Sequence, residues 1–181
     1  MTQRENYLGD GFRDVDRQNG IEKFKTCLTV IDSLPSFRRY KDETDRLLRP
    51  SDGRAFADIG CGLGFDVERL ARKVAGKAVG LDASQRLIFE ARKRAHALGL
   101  ANVDYVIGDA RTMSFEDGAF DGVRADRTLQ HVEGPGHVVK EMARIVRKGG
   151  WFVQSPIGAA FLSRTATPAV SRPCSANGRE A

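Results

Sequence analysis

The sequence is short of cysteine, has no long apolar run and nowhere concentrates one sign of charge. Its three cysteines, Cys27, Cys61 and Cys174, are odd in number and share no metal-ligand spacing, so neither a disulfide framework nor a metal site is expected. Free thiols fit a cytoplasmic setting. No apolar stretch approaches the ~20 residues that cross a bilayer. The opening Met-Thr-Gln-Arg-Glu-Asn lacks the apolar core of a secretory signal. Lys and Arg number 29 against 24 Asp and Glu, a net charge of +5. That excess is spread along the chain instead of gathered on one run, which argues against nucleic acid as a partner.

What is present is an ordinary globular mixture, 41% hydrophobic and 29% charged over 181 residues, enough for one domain with a core. Residues 1–53 read as an N-terminal helical cap. Ile21, Phe24, Leu28 and Ile31 recur at helical spacing, and Phe37, Tyr40, Leu47 and Leu48 mark a second helix ended by Pro50. These helices either cap a ligand crevice or cover a sheet edge. Residues 54–156 alternate short apolar runs with helical patterns, which defines an α/β domain with a doubly wound, mostly parallel sheet. The expected strands are Ala55–Ile59, Ala78–Leu81, Val103–Ile107, Phe120–Ala125 and one opening at Trp151, with helices on both faces. Residues 157–181 carry small polar residues and prolines without a period and read as an irregular tail.

The densest signal is Phe-Ala-Asp-Ile-Gly-Cys-Gly-Leu-Gly at residues 56–64. An apolar strand ends in Asp58 and runs into Gly60, Gly62 and Gly64, residues that turn through positive φ and let backbone approach a ligand. The spacing G-x-G-x-G puts Phe65 where the dinucleotide fingerprint continues its turn, which favours a nucleoside without a diphosphate over NAD. Cys61 fits as a small packing residue between glycines. Asp82 ends the second strand, where a carboxylate in a doubly wound fold accepts from both ribose hydroxyls; it equally suits a turn. Gly108-Asp109-Ala110 after the third strand either forms a turn or offers polar contacts to a base edge.

Taken in order, Ala57–Gly64, Val79–Ser84, Gly108–Ala110, Phe120–Val123 and Glu141–Gly150 resemble class I S-adenosylmethionine-dependent methyltransferases, in particular the ubiquinone/menaquinone-biosynthesis-like branch acting on small molecules. The resemblance covers residues 54–155. It implies a Rossmann-like fold, S-adenosyl-L-methionine as cofactor and a small-molecule acceptor. It further implies that Gly60, Gly62 and Gly64 meet the methionine part of the cofactor, with Asp58 beneath it. Asp82 would hold the ribose with Ala83 beside the adenine, Asp109 and Ala110 would contact adenine, and the backbone at Ala125 would face the methionine amino group. Arg127 pairs either with the cofactor carboxylate or with Asp126.

Methyl transfer from a sulfonium rests on positioning, and a base is needed only where the acceptor loses a proton. Asp126 and His131 are the candidates for that base; for His131 an ordinary surface or core role is the alternative. Strand four is followed by Ala125-Asp126-Arg127-Thr128 and not by the Asn/Asp-Pro-Pro-aromatic signature of enzymes that methylate exocyclic or amide nitrogens. The family's sheet is closed by an antiparallel hairpin, whereas this pattern stops at about five strands. That leaves the fifth strand's edge open, a surface through which two chains could pair as a homodimer. Two other readings are a truncated, non-catalytic cofactor-binding remnant and an NAD(P)-dependent oxidoreductase.

Overall fold

In the computed structural model the described residues are 11–12, 14–17, 20–50, 54–74, 76–155, 161–164 and 172–173. Five strands, β1 Phe56–Ile59, β2 Ala78–Asp82, β3 Val103–Ile107, β4 Phe120–Asp126 and β5 Val146–Ser155, pair in parallel in the order β3-β2-β1-β4-β5. Two helices, α1 Ile21–Ser33 and α2 Pro35–Leu47, precede the sheet, and α3 Phe65–Lys73, α4 Gln85–Ala97 and α5 Pro135–Ile145 connect its strands.

All four residues of β1 are buried, as a central parallel strand covered on both faces requires. Successive residues point to opposite faces, so one run feeds two cores. Ala57, Ile59, Val79, Leu81 and Val123 pack with Val138, Met142 and Ile145 of α5. Phe56, Ala78 and Tyr105 pack with Val67 and Leu70 of α3 and Ile88 and Ala91 of α4. The chain runs outward from β1 to β3 and then returns to β4 on the other side of β1, so the topological switch lies between β1 and β4. Ligand crevices of open α/β sheets form outside the strand carboxyl ends at such a point.

The helices start and stop where the local chemistry directs. Pro35 opens α2, the Ser84 hydroxyl accepts from Leu87 N–H to cap α4, and Gly99, at φ 65°, follows it. The end of α3 is held from outside the helix. Asn102, in the turn before β3, directs its amide nitrogen at the carbonyls of Ala71, Val74 and Gly76, at 2.9, 3.1 and 3.0 Å.

Two details correct the sequence reading. The fifth strand begins at Val146, not Trp151, with a break in pairing between Phe120↔Val146 and Gly122↔Trp151. The sheet also continues past it: β6 Phe161–Arg164 pairs antiparallel with β5, and β7 Arg172–Pro173 with β6. Two short antiparallel strands therefore extend the sheet, and the β5 edge, expected to be open to a second chain, is paired from Trp151 to Gln154. The physical reason is that an edge strand leaves unpaired N–H and C=O groups, and four residues of backbone suffice to satisfy part of it. So short a run in a tail of small residues carries no legible period. Residues 1–10, 13, 18–19, 51–53, 75, 156–160, 165–171 and 174–181, on which parts of the expected cap and tail fall, lie outside the described residues. Among the described residues no helix is long and apolar enough to cross a membrane.

Replacing Asn102 with Ala removes the three-carbonyl clamp and should cost about 1–3 kcal/mol. Urea unfolding measures it; an unchanged midpoint would show that α3 ends without this side chain.

Candidate functional site

The residues that follow β1, β2, β3 and β4 surround one cavity of about 670 Å³ at the switch point, roofed by the N-terminal helices. That size suits a small-molecule or cofactor ligand. Gly62, Asp82 and Asp109 all line it, so the three junctions singled out in the sequence converge.

The glycine loop owes its shape to positive φ at Gly60 (74°), Gly62 (53°) and Gly64 (76°). Gly60 has a steric reason as well, because a Cβ there would collide with the Thr128 side chain, whose hydroxyl donates to the Ile59 carbonyl at 2.8 Å. The loop's N–H groups are satisfied internally. Those of Gly60 and Cys61 donate to the Leu81 carbonyl at 2.7 and 3.0 Å, and that of Gly64 donates to Cys61 at 2.9 Å. Gly62 N–H donates to Asp82 Oδ2 at 2.8 Å. None of these four is free to cradle a diphosphate, the task such a loop performs for dinucleotides.

Asp82 bridges two junctions, since its other oxygen accepts from Ser84 N–H at 2.9 Å. Burial pushes its carboxyl pKa up, opposed by these two N–H bonds. Each oxygen keeps a second lone pair for a ligand hydroxyl. Ala83, Leu81, Leu87 and Ala110 line the cavity around it. Asp109 lines the cavity too, but its carboxylate is held in two-point contact by Arg111, at 2.6–3.0 Å. That guanidinium lowers the Asp109 pKa below the usual carboxylate range. Cys61 borders the cavity as a buried thiol whose pKa burial pushes well up. A group so placed is inert as a nucleophile. Gly64 and Ala125 do not line the cavity; Ala125 is buried in β4, while its neighbours Asp126 and Arg127 reach the wall.

Sequence reasoning offered a cap over a crevice as one of two roles for the N-terminal helices but named none of its lining residues. Phe12, Val15, Leu28, Ile31, Phe37 and Lys41 line the cavity. Residues of both helices thus form part of the crevice wall. Leu28 sits over Gly62, and Phe12 stacks against His131 with ring centroids 5.3 Å apart. His131, on the turn Leu129–His131, thus faces the cavity from the β4 side, its ring nitrogen 3.0 Å from Gln130. At the opposite end Asp16, in the turn Val15–Arg17, accepts from Gln85 N–H at 2.8 Å and from the Ser84 hydroxyl. A carboxylate there complements the positive N-terminus of α4. The apolar spacing in α1 was legible; which side it covered was not.

The cap is joined to the sheet through buried charge. Arg124, 1% exposed in the middle of β4, donates to Asp45 of α2 at 2.7 Å and to Asp66 of α3 at 3.2 Å, and lies 3.4 Å from Asp58 and 3.7 Å from Asp126. Lys41 of α2 reaches Asp66 at 3.0 Å and Asp32 at 3.4 Å, Arg69 reaches Asp32 at 2.8 Å and also Asp66, and Lys73 reaches Asp45 at 2.7 Å. With Arg127 beside Asp126 at 3.6 Å and Lys73 also 3.4 Å from Asp42, five cations meet six acids in one connected set. Burial raises the Asp58 pKa to about 6 against the pull of Arg124, and lowers that of Lys41 to about 8 with help from Arg69 and Arg124. Among the described residues no cluster of His, Cys, Asp or Glu is arranged to hold a metal ion.

The methyltransferase domain family matches residues 57–154, and this chain belongs to it. A 37.1 kDa protein of transposon TN4556 from Streptomyces fradiae is 38% identical over 128 residues, 70% of this chain and 36% of that protein. The demethylmenaquinone methyltransferase of Bacillus cereus is 36% identical over 135 residues, 72% of this chain and 57% of that enzyme. The chain thus spans about half, or less, of these relatives. Among solved structures the [4+2]-cyclase SpnF superposes with a TM-score of 0.64 at 28% identity, over 66% of this chain and 44% of that one.

Membership makes S-adenosylmethionine the cofactor, and the residues present fit it. The cavity has room, Asp82 offers lone pairs, the loop declines a diphosphate, and Asp126 and Arg127 bring opposite charges to the wall. Replacing Arg124 with Met strands its buried acids and should cost about 3–5 kcal/mol. Chemical denaturation reads the loss; a change below about 1 kcal/mol would show that the set does not hold the cap.

Proposed function

We propose that this chain binds S-adenosylmethionine in the switch-point cavity and transfers its methyl group to a small apolar molecule held beneath the cap. The observation that carries this reading is the convergence of Gly62, Asp82 and Asp109 on one cavity, with Asp82 tying the first two junctions together. The cofactor supplies a sulfonium-activated methyl group. Asp82 takes the ribose hydroxyls, and Leu81, Ala83, Leu87 and Ala110 enclose the adenine, with Asp109 contributing backbone because Arg111 holds its carboxylate. The buried Asp58 stands below the glycine loop and sets its charge environment.

The acceptor's site follows from what the cap supplies. Phe12, Leu28, Ile31 and Phe37 make that wall apolar and exclude water, which favours in-line transfer between pre-positioned groups. An apolar acceptor also matches the Bacillus cereus relative, which by its name acts on demethylmenaquinone. His131 is the group placed to take a proton where an acceptor releases one. Asp126 suits that role poorly, because Tyr40 already donates to its Oδ1 at 2.8 Å and two guanidiniums flank its Oδ2. We assign residues 1–53 to a cap and 54–156 to the cofactor domain. A concave cavity of about 670 Å³ walled by the cap suits a small molecule better than a nucleic acid strand, and the free thiols fit a cytoplasmic location.

A ligand that binds only the folded state raises Tm in proportion to its affinity. S-adenosylhomocysteine should therefore raise Tm and NAD should not, with the shift reduced in Asp82→Asn. Stabilisation by NAD alone would overturn the reading. Binding without methyl transfer to any quinol or phenol would leave a cofactor-binding module instead of an enzyme.

A further inference from the structure

A second hollow, of about 390 Å³, opens where α1, α2, α3 and α4 meet, and four arginines line it: Arg38, Arg69, Arg72 and Arg94. Phe65, the first residue of α3, borders both this groove and the switch-point cavity, but neither Arg38 nor Arg72 reaches that cavity. Three acids share the groove wall, Asp32, Asp42 and Glu68. Each of them already has a cation. Arg94 grips Glu68 at two points, both at 3.1 Å. Asp32 takes Arg69 at 2.8 Å and Lys41 at 3.4 Å, and Asp42 takes Lys73 at 3.4 Å.

Two guanidiniums of the groove have no acid of their own. Arg38 Nε donates to the Asp32 carbonyl at 3.0 Å, which fixes the plane of the group and leaves its two terminal nitrogens without a partner among the described residues. The Arg72 side chain makes no hydrogen bond or ion pair among the described residues. Arg38 stands on α2 and Arg72 on α3, so two like charges face one groove from different helices, an arrangement that repels until an anion enters. The chemistry of that anion follows from charge and shape. Two unmatched positive charges call for a dianion. A carboxylate carries one charge and is satisfied by a single guanidinium fork. A phosphate monoester carries roughly −1.5 to −2 at pH 7 and directs its oxygens several ways, so guanidiniums from separate helices can share it. We propose that this groove binds the phosphate group of a small phosphorylated molecule, with Arg38 and Arg72 as its donors, and that the bound anion ties α2 to α3.

The place of the groove in the fold gives the binding a consequence. The pairs Arg69–Asp32 and Lys73–Asp42 already tie α3 to α1 and α2. A phosphate shared by Arg38 and Arg72 adds a third tie beside them and removes the repulsion between the two arginines. A concave wall of charge focuses the field of its cations and attracts an anion more strongly than the same arginines spread over a flat surface. The volume admits a small molecule and not a folded partner. The site is independent of the cofactor reading, because neither donor lines the switch-point cavity.

Isothermal titration of the full chain with inorganic phosphate and with glycerol 3-phosphate, at constant ionic strength, tests this. Both should bind, and Arg38→Gln and Arg72→Gln should each weaken them by about ten- to a hundredfold. Arg39→Gln removes a neighbouring exposed arginine that does not line the groove and should leave binding unchanged. Acetate should bind wild type at least about tenfold more weakly than phosphate does. Arg38 and Arg72 are exposed, so their variants should keep the wild-type Tm without ligand, and phosphate should raise the wild-type Tm by more than theirs. The general stabilisation that phosphate gives by exclusion from protein surfaces is common to all variants and cancels in that comparison. No heat of binding up to about 10 mM phosphate would overturn the site. So would an equal loss in Arg39→Gln, or full binding in both Arg38→Gln and Arg72→Gln, since either marks diffuse charge attraction. Acetate that binds as well as phosphate would overturn the dianion assignment.

Discussion

A guanidinium buried in the centre of a parallel sheet is the constraint from which the rest of this molecule follows. Arg124 sits in β4, where a neighbouring strand would ordinarily demand Val or Ile. Desolvating a charge there is affordable only with partners, and those partners come from three other elements: Asp58 of β1, Asp66 of α3 and Asp45 of α2. Satisfying one side chain therefore fixes where the N-terminal helices must lie. Once α2 is pinned over the switch point, Phe37 and Lys41 become walls of the cavity, and the crevice of a doubly wound sheet gains a partial roof.

The glycine loop carries the second constraint, which is one of hydrogen-bond accounting. A turn of this kind at a helix N-terminus could serve a dinucleotide. Here the N–H groups of Gly60, Cys61 and Gly64 are taken by backbone carbonyls and that of Gly62 by Asp82. The loop is thereby stiffened into a wall instead of a phosphate cradle. Asp82 is held in place by the same bonds, so its carboxylate is positioned before any ligand arrives. A fold shared with many dinucleotide enzymes is made selective by where four protons point.

Much of this was legible in the sequence because it obeys local rules. Strand β3 falls on Val103–Ile107 as its apolar run requires, Ser84 caps α4, and Gly60 and Gly62 adopt the positive φ their spacing suggests. Convergence of the three junctions followed from the parallel topology. What stayed hidden depends on distant partners. Arg124 reads as a polar interruption of a strand, yet its acids lie 58 and 79 positions away. Lys41 and Asp45 look like the solvated face of a helix. Asp109 appears free until Arg111, two residues on, folds back against it. β6 is too short to show a period, although the edge it covers was foreseeable.

The central claim is that one roofed cavity at the β1–β4 switch holds the adenosyl cofactor between the sheet rim and the cap. A crystal structure of the chain grown with S-adenosylhomocysteine tests this most directly. The account predicts adenosine beside Leu81–Ala83 with the ribose on Asp82, and α2 still paired to Arg124. Density for the ligand at any other surface, or a cap swung off Arg124 with the ligand in place, would contradict it.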